Sequence, residues 1–253
     1  MRYTKILLES HFFKEYFFVK GVLIMQEYTG QLVGSAREFM YKVYGWMATA
    51  LAITATTAFY IFKTPTLIQT ILQPGVLMAL VLGQLALVLF LSFMLKRMNF
   101  ATAAMAFLLY SFFTGATLSS IFLVFTLPSI VATFVVAAGM FGVMALYGYL
   151  TNEDLSSMAN ILMMALIGLI IGLVVNMFLR SEAFDFVLSG IGVVVFAMLT
   201  AYDVQKIKQF GQSMIAHGEM AGKISILGAL MLYLDFVNLF LYLLRFLGQR
   251  KND

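Results

Sequence analysis

The feature that most restricts this chain is a succession of seven apolar stretches, at 43–62, 75–95, 100–124, 129–150, 157–179, 184–204 and 225–247. Each is close to the ~20 residues a helix needs to cross about 30 Å of hydrocarbon. Lipid offers no partner to a peptide group, and an unpaired one costs several kcal/mol there, so such stretches must be helical. The expected fold is all-α: a polytopic membrane protein built as a seven-transmembrane-helix bundle. Composition agrees, with 62% hydrophobic and only 11% charged residues, where a soluble chain has roughly 25% charged. With no cysteine in the sequence, disulfides, thiolate metal sites and a cysteine nucleophile are excluded.

Turn chemistry marks the connections: "KTPT" and "LQPG" in the first, "KRMN" in the second, "TLPS" in the third. "TNEDLSS" sets an Asp or Ser before the fifth helix in an N-cap position. Residues 1–37 read as a cytoplasmic N-terminal tail and 38–253 as the transmembrane domain. The first 24 residues mix Lys5, Glu9, Lys14, Glu15 and Lys20 into apolar ones, which suits neither a span nor a signal peptide. They form either an interfacial amphipathic helix or an extension upstream of a start at Met25. Of the 16 lysines and arginines, an N-terminus-inside topology puts only Lys63, Arg180, Arg245, Arg250 and Lys251 outside, which favours that orientation. Counting from Met25 weakens the bias. The basic end "RFLGQRKND" opposes it, a conflict that a last segment crossing only part of the way would remove.

Two carboxylates carry the most chemical information: Asp203 in "LTAYDVQKIKQF" and Asp235 in "LYLDFVNLF". An ionised carboxylate deep in a bilayer costs about 2.5–3.5 kcal/mol by insertion scales, so it persists where it faces a bundle interior, a partner or a wet path. Asp203 is expected at the end of the sixth helix and Asp235 about three turns into the seventh, which brings them to similar depth if the helices are neighbours. Asp235, Asn238, Tyr242 and Arg245 also share one narrow sector of the seventh helix, a polar stripe expected to face inward. Two carboxylates within a few Å cannot both ionise cheaply; they share a proton and titrate as a unit, which makes a pH sensor. Ionised, they offer hard oxygens to Ca²⁺, but fewer than the 6–8 it prefers, so binding would be weak and transient, as a permeation path requires. Arg97 in "FMLKRMNF" is the available cation, able to grip a carboxylate through two hydrogen bonds. The plainer readings make Asp203 a solvated helix end beside Lys206, Asp235 a structural hydrogen-bonding group, and Lys96 and Arg97 topology determinants.

"LTAYDVQKIK", "LGALMLYLDFVNLFLYLLRFLG", "FTGATLSSIF" and "GMFGVMALYGYLTNEDLSSM" together resemble the Bax-inhibitor (TMBIM) family, in particular its bacterial YccA/YbhL-like inner-membrane branch. The likeness runs from about residue 38 to the C-terminus. The resemblance implies a bundle with the last helix central, and a pH-sensitive passive calcium (cation) leak of the bacterial inner membrane. Position by position, the paired sensor and weak calcium site fall on Asp203 and Asp235, and the gate on Arg97. Asn238, Tyr242 and Gln84 are the expected lining residues. An acidic residue of the second helix in some members falls on Ala86, a departure that weakens the inferred conduction path. The alternative the resemblance implies is a non-transporting regulator, a partner of a membrane-bound AAA protease or of a stress response.

An intramembrane aspartyl protease is disfavoured: "YD" at 202–203 fits, but "LYLD" at 232–235 lacks the glycines that let a substrate backbone approach. His11 and His217 belong to no metal or triad spacing. The expectation is therefore no enzymatic activity, no bound cofactor, no nucleic-acid partner, and the bilayer, protons and calcium as what the chain meets.

Overall fold

The computed structural model describes residues 37–95, 97–213 and 218–251. Residues 1–36 of the tail, His11 and Met25 among them, and Lys96 and His217 lie outside the described residues, while Arg37 already belongs to the first helix. Among the described residues, seven helices are long and apolar enough to cross a membrane: 37–63, 74–94, 100–124, 127–150, 155–179, 182–211 and 220–247. In chain order the elements are α1 (Arg37–Lys63), a short α2 (Pro65–Ile71), α3 (Pro74–Met94), α4 (Phe100–Leu118), a single turn α5 (Ile121–Val124) and α6 (Leu127–Leu150). A 3-10 turn (Leu155–Met158) leads into α7 (Ala159–Leu179), followed by α8 (Glu182–Ser213) and α9 (Gly218–Leu247). All seven expected spans are present.

Local chemistry sets the helix starts. The three prolines of the chain begin α2, α3 and α6, where a missing N–H costs no intrahelical bond. Asn99 caps α4 by accepting from the Thr102 N–H at 2.8 Å. Asp154 accepts from the Ser156 N–H at 2.9 Å and starts the turn before α7, in the place "TNEDLSS" indicates. The third span is interrupted after Leu118: the Ser119 and Ser120 hydroxyls donate back to Ala116 and Thr117 carbonyls at 2.6 and 2.9 Å, a competition that bends helices.

α9 is the axis of the bundle. It packs against α4, α6 and α8, and 61% of its apolar window is buried, against 6% for α3. α3 and α7 are mostly lipid-facing and supply the outer wall. α6 and α8 meet at Gly148, where any Cβ would collide with the backbone of Ala201; a small residue there is what allows the two helices to touch.

Three expectations change. The sixth and seventh helices are longer than their apolar runs, because charge ends an apolar run without ending a helix. Beyond Asp203 the amphipathic stretch 204–211 continues α8, with Val204 and Ile207 buried and Gln205 bonded to Glu153 O (2.7 Å) and the Leu155 N–H (2.9 Å). Asp203 is thus interior to its helix, not at its end, and Asp235 lies deeper into α9 than expected. α9 is long and apolar enough to cross a membrane. The segment after it folds back on the α5–α6 junction: the Thr126 N–H donates to Gln249 O at 3.1 Å and the Lys251 N–H to Val124 O at 2.9 Å.

Candidate functional site

Asp203 on α8 and Asp235 on α9 are brought together in the interior of the bundle, their carboxyl groups within hydrogen-bonding reach of each other. The antiparallel hairpin formed by these two helices makes this possible, and the approach of Gly148 to Ala201 presses α8 inward two residues before Asp203. Asp235 is only 5% exposed, whereas Asp203 is half-buried. Oδ2 of Asp235 meets no donor. The neighbouring group is itself a carboxyl, which donates only while protonated. A buried oxygen without a donor is costly, so this arrangement is best satisfied with a proton held between the two side chains. Lys206, over the Tyr202 ring at 5.3 Å, is near enough to act electrostatically on Asp203. The pair provides at most four oxygens to a cation, well below calcium's preferred shell.

The remaining expected residues are dispersed. Arg97 is exposed in the turn between α3 and α4, and among the described residues it makes no ion pair with either aspartate. Its turn is nevertheless held to α9, because Lys223 Nζ donates to Met98 O at 3.1 Å. Gln84 Nε2 donates across to α4, at 3.3 Å from both Phe113 O and Thr117 Oγ1. Ala86 is on the exposed face of α3. Asn238 Nδ2 donates to Leu234 O at 2.8 Å, within its own helix. Tyr242 stacks on Phe196 with ring centroids 5.6 Å apart and fits over Gly192; Arg245 sits 3.9 Å from Asp185. Of the polar stripe of α9, Asp235, Tyr242 and Arg245 meet partners on α8, along a seam with aromatic packing.

A second buried polar contact on α9 escapes sequence reading. Tyr233 is fully buried, and its hydroxyl lies 2.6 Å from Thr54 Oγ1, which donates to Ser111 O at 2.9 Å. Since the single Thr54 proton goes to Ser111, the Tyr233 O–H is the donor to Thr54. Two steps along α9 from Asp235, this contact ties the central helix to α1 and α4. The one available signal was chemical: a tyrosine amid an apolar core requires a partner for its hydroxyl.

Outside the membrane-spanning segments, Asp154 is held below the usual carboxylate range, first by the Ser156 backbone N–H and then by its hydroxyl.

Comparison with known proteins gives the geometry a lineage. Residues 36–252 match the family described as "Inhibitor of apoptosis-promoting Bax1". The inner membrane protein YbhL of Escherichia coli is 49% identical over 215 residues, covering 84% of this chain and 92% of that protein. An uncharacterized protein of Borreliella burgdorferi is 46% identical over 217 residues (85% and 94%), and one of Rickettsia prowazekii 42% over 216 (85% and 91%). A seven-span helical architecture, a family match that spans all the described residues and relatives this similar lead to one conclusion: the chain belongs to the Bax-inhibitor family of multi-pass membrane proteins.

Proposed function

We propose that this protein is a pH-sensitive passive leak for cations, calcium being the favoured ion, governed by Asp203 and Asp235 with Arg97 as the gate. The observation that carries the reading is the meeting of two carboxyl groups on the central helix pair, with one buried oxygen that only a proton donor can satisfy. Holding a proton, the pair carries a single negative charge and its shared hydrogen bond locks α8 to α9. Losing it, the pair carries two like charges that repel and attract a cation, so one proton equilibrium controls both helix contact and ion affinity. In this closed arrangement the seam beyond the pair is filled by Tyr242 and Phe196, so flux requires α8 and α9 to part. Arg97 reaches an aspartate only after its turn moves inward. The membrane is the bacterial inner membrane, in keeping with the name of the E. coli relative, and the bias of Lys and Arg favours an N-terminus in the cytoplasm.

Calcium entry into dye-loaded proteoliposomes, with wild type and Asp203→Asn compared from pH 6 to 8, tests this. A wild-type flux that varies with pH and loses that variation in Asp203→Asn is the expected result. The filled seam favours one other reading, a non-transporting regulator in which the pair is a structural latch and a membrane-bound AAA protease is the partner. No flux above empty liposomes from folded protein selects that reading. A doubly substituted Asp203→Ala, Asp235→Ala chain that keeps its partner reinforces it.

A further inference from the structure

A deep groove runs between α1 and α6 down to α9, with a volume of about 320 Å³. Ala55 and Phe59 form one wall, Val131 and Phe134 the other, and Val237 and Phe240 the floor. Thr54 is the one polar residue in its lining, and that hydroxyl is already engaged with Ser111 and Tyr233. From Leu51 to Phe59 the groove follows α1 for about two turns, or ~12 Å. A cavity this apolar and open to the membrane fills with hydrocarbon rather than water.

The mouth of the groove has a different chemistry. Phe122, stacked on Phe62 at 5.0 Å and edge-on to Phe59 at 6.2 Å, forms an aromatic rim at the end where α1 finishes. Lys63 Nζ lies 5.5 Å from the Phe59 ring centre. Lys251 Nζ lies 5.5 Å from the Phe62 ring centre and donates one hydrogen bond, to Phe122 O at 2.7 Å. Two exposed ammonium groups therefore share one rim, and among the described residues neither has a carboxylate partner. Aromatic and lysine side chains at this level are suited to the headgroup layer, and paired lysines attract negative charge there.

We propose that the groove holds an acyl chain of an anionic phospholipid whose headgroup phosphate rests on Lys63 and Lys251. The apolar trough accounts for a chain, and the two ammonium groups account for the charge; neither a free phosphate nor an uncharged lipid uses both. Seated there, the chain lies against Val237 and Phe240, so the lipid braces the helix that carries Asp235.

Native mass spectrometry of the full chain, released from micelles doped with phosphatidylglycerol or with phosphatidylcholine of the same acyl chains, tests the site. The wild type should retain phosphatidylglycerol preferentially. The exposed pair Lys63→Gln, Lys251→Gln should bind it about thirtyfold more weakly and lose the preference. Ala55→Trp, which fills the groove from an exposed position and keeps both lysines, should lose the bound lipid, while Val174→Trp on the lipid-facing side of α7 should not. Equal retention of the two lipids by the wild type overturns the proposal, as does unchanged retention in Ala55→Trp, which would mean headgroup binding alone. A dimer mass that disappears in Ala55→Trp would assign the groove to a second copy of the chain and also overturn it.

Discussion

The contact between Tyr233 and Thr54 allows a stability prediction with an internal check. Changing Tyr233 to Phe removes one hydroxyl and leaves the ring, which stays edge-on to Phe107 at 5.8 Å and Tyr110 at 5.9 Å. Thr54 keeps its bond to Ser111 O, so no buried polar group is stranded. The expected loss is about 1 kcal/mol for one buried hydrogen bond, with ~1.7 kcal/mol as the ceiling set by membrane examples. Thr54→Val is nearly isosteric but removes both bonds, leaving the Tyr233 O–H with Thr114 as its side-chain partner. Losing two bonds rather than one makes it the costlier change, about 2 kcal/mol. Both single variants lose the same Tyr233–Thr54 bond, so the cost of the double variant should fall short of the sum by about 1 kcal/mol. Equilibrium unfolding in mixed micelles, driven by increasing fractions of dodecyl sulfate, reads all three values. Additivity within ~0.3 kcal/mol, or a Tyr233→Phe variant as stable as wild type, would refute the energetic role assigned to the Tyr233–Thr54 bond.

Two further predictions concern helix packing and a local cap. Gly148→Ala should destabilise by about 1–3 kcal/mol, since its Cβ meets the Ala201 backbone and backbone yields poorly. Gly142→Ala on the same helix meets nothing within 4 Å and should be neutral or slightly stabilising through helix propensity; thermal unfolding in detergent compares them. Asp154→Ala should speed amide exchange in Leu155–Met158 at neutral pH. The Asp154 carboxyl is held below its usual range, so its stabilisation is present above that range and is lost as pH falls through the lowered folded value. Wild type and variant should therefore converge in acid.

The spans were legible because crossing hydrocarbon is a local demand: any ~20-residue window either meets it or does not. Asp235 stood out for the same reason, as one charge in an apolar run. Helix ends were less legible, since "VQKIKQF" keeps a buried side of Val204 and Ile207 while its charges resemble a terminus. The meeting of Asp203 with Asp235 was readable only as a consequence of assuming neighbouring helices.

The sequence by itself determined that this chain is helical, crosses the membrane seven times and carries carboxylates that lipid will not tolerate alone, because each of these follows from transfer energies summed over adjacent residues. Only the tertiary structure decided what those residues touch. Thr54 and Tyr233 are 179 positions apart, Gly148 reveals its purpose only against Ala201, and Arg97 lies exposed in its turn although its charge suits an aspartate. Helix packing depends on which faces meet and how closely, a relation between distant segments that no window of sequence contains.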